Sequence, residues 1–528
     1  MFDIKIAGAT VFDGSGAARE KLDVAIKDGA IVEVAKGIEG TAKRVIDARG
    51  LCLSPGFIDM HAHTDLLSFR EEPVRSSRVM QGITTDCSGQ CGMSAAPYRK
   101  DMTDWKAYFL PVIGDAKEAS WNWPTFGEFL AEVEQRPMLH NQTFLVSHGS
   151  IRASVVGLKD EVITPELMQG MKDMLRKSLS AGAFGMSFGL SYLPGMYTDK
   201  SEILELAKVL AEENRVFMVH IRSHSDRMTE AVEEMIEITR LSGVKMHISH
   251  LKSYGKEEFG LTPEEILEML ESAWDEGLDI TYDEHPYSGG STTLSQVLPP
   301  WIRNGGAAMM CKRLNDPACL ERLEEELSDP GFGIPGWDNF SAIAGWDKIL
   351  VSSVFKEENN KYANKTIADI AHELNVSATR AAAKVIAEDE GKSAMMMLDI
   401  FSDEDLAKMM ASKVAMVGSD GIPTGRSHPR LYGTMPLFFQ KMVKEQKVFT
   451  MEEAVRRVTS LSASRLGLTD RGLIKPGYMA DLVLFDEKSL GVEEDYMAEL
   501  SLPLGIREVF VNGASASEEK GRLLRAGA

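Results

Sequence analysis

The chain has 528 residues, 44% hydrophobic and 26% charged, with a formal net charge of −21 and five cysteines. That length allows one large globular domain with a smaller one, or two or three domains, while the acid excess and lack of an evident basic face exclude phosphate-backbone recognition. An odd cysteine count makes no disulfide framework, the start Met1-Phe2-Asp3-Ile4 has no basic n-region, and no run approaches the ~18 apolar residues of a membrane span. A cytoplasmic protein is expected, with neither nucleic-acid nor membrane partners; the oligomeric state is not legible.

Residues 1–52 read as a small β unit. Short apolar alternations (Ile4 to Ile6, Val24 to Ile26, Ile31 to Val34) are broken by the turn dipeptides Asp13-Gly14 and Asp28-Gly29. The C-terminal stretch 466–528 has the same texture, with Ala480 to Phe485 and Val509 to Gly513 as strand and turn. The two ends are expected to build one composite β-sandwich domain.

Between them, over residues 53–465, short apolar strands alternate with helical patterns such as Glu202–Glu213, Met228–Leu241 and Pro263–Glu276. Strands are expected near 53–58, 82–87, 143–147, 183–187, 215–219, 245–249, 278–282 and 413–418. Eight strands alternating with crossover helices predict a (β/α)8 barrel. The interval before the last strand is too long for one crossover, so an inserted subdomain is expected at about 295–365, loop-rich through Pro299-Pro300, Gly305-Gly306 and Pro330 to Pro335.

Active sites in such barrels lie at the C-terminal ends of the strands, so the residues just past each strand are informative. The first strand runs into Pro55-Gly56-Phe57-Ile58-Asp59-Met60-His61-Ala62-His63-Thr64-Asp65. On extended chain, residues two apart share a side, so His61 and His63 aim at one point. An isolated His-x-His is more often a surface loop, but neutral imidazole is also the commonest metal ligand. Later strands end at Cys87 followed by Gly89-Gln90-Cys91-Gly92, at Ser147-His148, Ser187, His220, His250, Asp283 and Ser419-Asp420-Gly421. Metal-ligating residue types at so many strand ends are hard to explain as packing.

With these residues in place the sequence resembles the amidohydrolase superfamily, and within it the N-acyl-D-amino-acid deacylases (D-aminoacylases). The motifs that carry this are the stretch from Pro55 to Asp65, G-I-T-T-D-C-S-G-Q-C-G, V-S-H-G-S-I-R, F-G-M-S-F-G-L-S-Y-L-P-G, I-S-H-L-K, G-S-D-G, H-P-R-L-Y-G and R-G-L-I-K-P-G-Y-M-A-D-L-V. The resemblance implies a metal-dependent hydrolase of N-acyl-D-amino acids. It implies a tightly held Zn2+ on Cys91, His220 and His250, a donor set that suits zinc. A second, weaker site on His61 and His63 would share Cys91 and Asp420, and Cys87 is the competing thiol. Asp420 is implied as general base and acid, and Tyr192, Lys252 and Arg430 as holders of the substrate carboxylate, with His148 and Arg222 as supports. Many related amidohydrolases carry a carboxylated lysine at the end of the fourth strand; this chain has Ser187. It also has Ser223-His224-Ser225 where acidic character is expected. Relatives specific for acidic side chains place an arginine after the seventh strand, whereas here Ser291 to Gln296 contain none, so a neutral or hydrophobic D-amino acid is expected. The competing functions are hydrolysis of a cyclic amide or a dipeptide by another amidohydrolase, and a non-catalytic scaffold. His140, His224, His247, His285 and His372 have no spacing that selects them.

Overall fold

The computed structural model describes residues 1–253, 262–329, 332–334, 337–498, 500 and 502–527. Part of the Pro330 to Pro335 run therefore lies outside the described residues.

Eight parallel strand positions form the barrel: Phe57–Asp59, Ile83–Ser88, the interrupted Asn141–Phe144 and Val146–Ser147, Gly185–Gly189, Val216–His220, Lys245–Ile248, Ile280–Glu284 and Ala415–Val417. The first and last meet through the Met60 amide on the Val417 carbonyl (3.4 Å) and the parallel bridge of Ala62 with Gly421. Nearly every barrel-strand residue is buried, as a sheet closed on itself and covered by helices requires. The helices expected outside it are present as Lys200–Glu212, Met228–Ser242 and Pro263–Asp275. Asp199 caps the first of these through the Glu202 amide, and Pro263 opens the third, where its missing N–H costs nothing.

The strand expected at 53–58 is two strands. Cys52–Pro55 pairs antiparallel with Leu482–Phe485 and parallel with Phe2–Val11, in a sheet built from both ends of the chain. Phe57–Asp59 opens the barrel. Gly56 is the joint, because a Cβ there would lie 2.0 Å from Thr84 Oγ1. An unbroken apolar run hides such a change of sheet, since hydrophobicity marks burial and not the partner.

The expected insertion shares a sheet with strands that flank it. Gly290–Thr293 pairs with Ala394–Met397, which pairs with Ile349–Ser353, all antiparallel. The subdomain thus begins directly after the seventh barrel strand and returns beyond residue 390. It has its own core, including Leu294, Ile302, Leu323, Ile370, Val385 and Met395.

Candidate metal centre

The strand ends bring two overlapping groups of donors together at one end of the barrel. His61, His63, Cys91 and Asp420 form one, and Cys91, His220 and His250 the other; within each, the ligand-type atoms lie within 4.8 Å of one another, all buried. Cys91 Sγ stands 3.3 Å from both His61 Nε2 and His250 Nε2, and His220 Nδ1 is 2.9 Å from His250 Nε2. Asp420 Oδ1 lies 3.2 Å from His63 Nε2 and 3.5 Å from His61 Nε2. Neighbouring ligands on a tetrahedral ion at about 2.0–2.3 Å are separated by roughly 3.3–3.8 Å; the two Cys91 contacts match that spacing, and the His220–His250 pair is closer.

Backbone geometry makes the convergence possible. Cys91, His250 and Asp420 all have left-handed φ (53°, 34° and 50°), a conformation that costs non-glycine residues energy and concentrates at functional sites. Ser187, at the end of the fourth strand, accepts the Gly92 amide at 3.1 Å and donates to the Gly89 carbonyl at 2.5 Å. It braces the Cys91 turn. Cys87 instead packs among Ile58, Met60 and Leu145 beneath the site, and Cys91 is the thiol that reaches the histidines.

Burial sets the electrostatics of these donors. Burial pushes the Cys91 thiol up to about 11, against the pull of His61. Burial likewise holds His220 and His250 well below the ordinary histidine range. These are neutral imidazoles and a buried thiol, the donor types that bind zinc once the thiol gives up its proton. Asp283, at the end of the seventh strand, organises them from behind. Its carboxylate lies 3.3 Å from His61 Nδ1 and 2.9 Å from His247 Nε2, and it accepts the His250 amide at 2.9 Å. Burial works against its charge, but the His61 and His247 rings outweigh that and hold it well below the usual carboxylate range. An imidazole donating its far nitrogen to a carboxylate is a recurrent way to orient a ligand. Sequence spacing did not select His247, because its partners Thr281 and Asp283 come from the neighbouring seventh strand.

A cavity opens onto these donors, lined among others by Tyr192, His220, His250, Lys252, Asp420 and Arg430. Arg430 is the first residue of helix Arg430–Phe438; its Nη2 lies 3.0 Å from Asp420 Oδ2 and donates to the Ser291 carbonyl at 2.9 Å. Burial opposes the charge of Asp420, yet Arg430 and His63 hold its carboxyl well below the ordinary range. Lys252 bonds Glu284 at 2.5 Å and lies 2.7 Å from His285 Nε2, so His285, unselected by spacing, belongs to the cavity. Tyr192 Oη is 2.9 Å from Thr292 Oγ1. The far wall comes from the insertion, with Trp337, Asp338, Phe340, Met397 and Phe401. No short-range motif marks these residues, since the insertion places them.

Two expected supports stand elsewhere. His148 is fully buried, stacked on Phe188 at 4.5 Å between ring centroids, with Nε2 2.7 Å from Glu202. It does not line the cavity. Arg222 pairs with Glu234 at 2.8 Å and donates to the Thr198 carbonyl. Both find their partners within the barrel wall, and neither is among the residues that line the cavity.

Donors of these types, converging beside a cavity at the strand ends of a (β/α)8 barrel, suit metal-dependent hydrolysis. The chain belongs to the amidohydrolase family, whose model matches residues 44–295 and 361–516 and skips the middle of the insertion. It is 28% identical over 521 residues to a D-aminoacylase of Alcaligenes xylosoxydans xylosoxydans, covering 98% of this chain and 95% of that protein. It is 29% identical over 536 residues to an N-acyl-D-glutamate deacylase of the same organism, covering 99% and 96%. Its fold matches the crystal structure of N-acyl-D-glutamate deacylase from Bordetella bronchiseptica, complexed with zinc and a phosphonate mimic of the tetrahedral intermediate, with TM-score 0.83, 28% identity and coverage of 99% and 100%.

Proposed function

We propose that this protein hydrolyses linear N-acyl-D-amino acids to a carboxylate and a free D-amino acid. The observation that carries this is the cavity in which Asp420 and the donor cluster face Lys252 and Arg430: a place for an amide carbonyl beside a place for a carboxylate. The donor set fits zinc, with Cys91, His220 and His250 as the tighter set and His61 and His63 completing a second with Cys91 and Asp420. When bound there, zinc supplies a Lewis acid for the scissile carbonyl and lowers the pKa of attacking water toward about 7.

The chain's own residues do the rest. Asp420, held ionised, takes the proton from the attacking water at its carboxylate oxygen and returns it to the amine nitrogen as the C–N bond breaks. Arg430 and Lys252 bind the substrate carboxylate, Arg430 through a planar fork, and Tyr192 adds a hydroxyl. Trp337, Phe340, Met397 and Phe401 shape an apolar wall that excludes water. A neutral or hydrophobic side chain suits that wall. Among the described residues, Lys252 and Arg430 are the cations lining the cavity, and both are assigned to the α-carboxylate. Asp338, also on the lining, would repel an acidic side chain. Five free thiols suit a cytoplasmic setting.

Hydrolysis of paired N-acetyl-D- and N-acetyl-L-amino acids, with zinc measured on the same sample, tests the reading. Turnover confined to the D series, with N-acetyl-D-methionine or D-leucine ahead of D-glutamate, is expected. Zinc without turnover on either series would overturn the substrate, and a faster D-glutamate rate would overturn the side-chain preference.

A further inference from the structure

Behind the cavity lies a fully buried ion pair that none of these roles uses. Arg78 Nη1 donates to Asp59 Oδ2 at 2.8 Å, with both side chains at 0% exposure. A buried pair is weak evidence of stability, because removing two charges from water costs about what their attraction returns. Here Arg78 Nε is also left without a partner. What distinguishes the pair is where its hydrogen bonds go.

Asp59 reaches both ends of the barrel seam. Its Oδ1 accepts the His61 amide at 3.1 Å and the Ser419 amide at 2.7 Å, and its Oδ2 accepts the Ser419 hydroxyl at 2.5 Å. Asp420, between Ser419 and Gly421, is thereby held from both sides. Its amide donates to the His61 carbonyl at 2.7 Å, and the Gly421 amide donates to Ser419 Oγ at 3.1 Å. Arg78 lies so close that a Cβ on Gly421 would stand 2.9 Å from its Nη2. That same Nη2 donates to the Leu431 carbonyl, one residue past Arg430. Gln81 grips the same helix, donating through Nε2 to Leu431 O at 2.8 Å and accepting the Met435 amide at 3.2 Å.

The geometry points to Arg78 as a positioning residue that ties the Asp420 turn to the Arg430 helix, so that general base and carboxylate clamp keep a fixed separation. Arg78 touches neither substrate nor metal. It acts on Asp420 through Asp59 and Ser419, and on Arg430 through the Leu431 carbonyl. Only a guanidinium serves both branches at once, since its two terminal nitrogens point along different directions of one plane. The catalytic part rests on the proposed deacylase reading; the metal part does not.

The test uses the full-length protein freed of metal and titrated with Zn2+ alone, followed by kinetics on N-acetyl-D-methionine. Arg78→Lys keeps a cation against Asp59 but cannot also reach Leu431. It is expected to keep the tighter zinc equivalent, weaken the second by about tenfold, and change both kcat and KM, the scale usual for residues behind a metal site. Gln81→Met removes the contacts with Leu431 and Met435 and one within its own turn, to the Ser77 carbonyl, without touching Asp59 or Ser419; it is expected to raise KM while leaving kcat and both zinc equivalents unchanged. Ser419→Ala removes the hydroxyl that accepts from Arg78 Nη1 at 2.9 Å and joins it to Asp59 and the Gly421 amide, while leaving the Leu431 contact in place; it is expected to lower kcat and weaken the second zinc equivalent, with KM unchanged. Should Arg78→Lys fail to fold, these two variants carry the test. Variants that lose thermal stability while keeping wild-type zinc binding and kinetics at a permissive temperature would overturn the proposal, reducing the pair to a structural one. A wild type inactive on N-acyl-D-amino acids that still shows the split in zinc binding would sink the deacylase reading and leave the coupling standing.

Discussion

At the scale of single residues, the site separates charge by environment. Arg430 lies against Asp420 and favours its ionised form, which the proposed role of general base requires. Asp420→Asn is expected to keep zinc on Cys91, His220 and His250 and to lose turnover by about 10²–10⁴-fold, the usual worth of a positioned base; metal analysis beside kcat checks both. His148 and Glu202 illustrate the opposite case, a strand-end histidine with a purely internal partner. Burial disfavours the Glu202 charge, but the His148 hydrogen bond and Arg152 outweigh it and lower its pKa. A carboxyl depressed in the folded state stabilises the protein above its unfolded value of about 4.3, and that stability is lost as pH falls through the folded value. Glu202→Gln is therefore expected to cost about 3 kcal/mol near pH 7, where it strands Arg152. The difference from wild type should shrink below about pH 4, as thermal melts across pH would show.

At the scale of elements, the insertion between the seventh and eighth strands completes the cavity, and one carboxylate fastens it to the barrel. Asp338 accepts the Ser223 hydroxyl at 2.5 Å, the Ser225 hydroxyl at 2.6 Å and the His224 amide at 3.0 Å. The serines that replace acidic character after the fifth strand thus have a use: they donate to an acid supplied by the insertion. Asp338→Ala is expected to loosen the wall bearing Trp337 and Phe340, raising KM several-fold with zinc content unchanged. An unaltered KM would show that the wall holds without this tie. The subdomain has a core of its own, so the loss should not unfold it.

At the scale of the whole molecule, the chain's end closes the face of the barrel opposite the site. The Gly521 amide donates to the Met138 carbonyl at 2.9 Å, Gln142 to Arg522 at 2.9 Å, Leu524 to Gln142 at 2.9 Å and Ala526 to Gly182 at 3.1 Å. Deleting residues 521–528 is expected to lower Tm by several degrees while leaving zinc content and kcat of the folded fraction unchanged, because the backbone partners Met138, Gln142 and Gly182 stand before or near the starts of their strands, whereas the donors follow the strand ends. Chelation acts the other way. Removing the ion is expected to lower Tm and abolish turnover together, and added Zn2+ to restore both, since a ligand that binds only the folded state stabilises it by mass action.

The sequence by itself determined the barrel and the residue types that stand at its strand ends. Strand–helix alternation carries a parallel sheet in its periodicity, and His61, His63, Cys91, His220, His250 and Asp420 all sit where strands end. Those are local signals, written within a few residues of each site. Tertiary structure alone decided which residues stand behind them and opposite them. His247 and Asp283 orient the histidines from adjacent strands, and Asp59 meets Arg78 and Ser419 across the barrel seam. The cavity wall comes from Trp337, Asp338, Phe340, Met397 and Phe401 in the insertion, whereas the candidate donors follow the barrel strands. Such contacts arise from closing the sheet and folding the insertion over it. Burial and hydrogen bonding select them only once the chain is folded, so no spacing in the sequence records them.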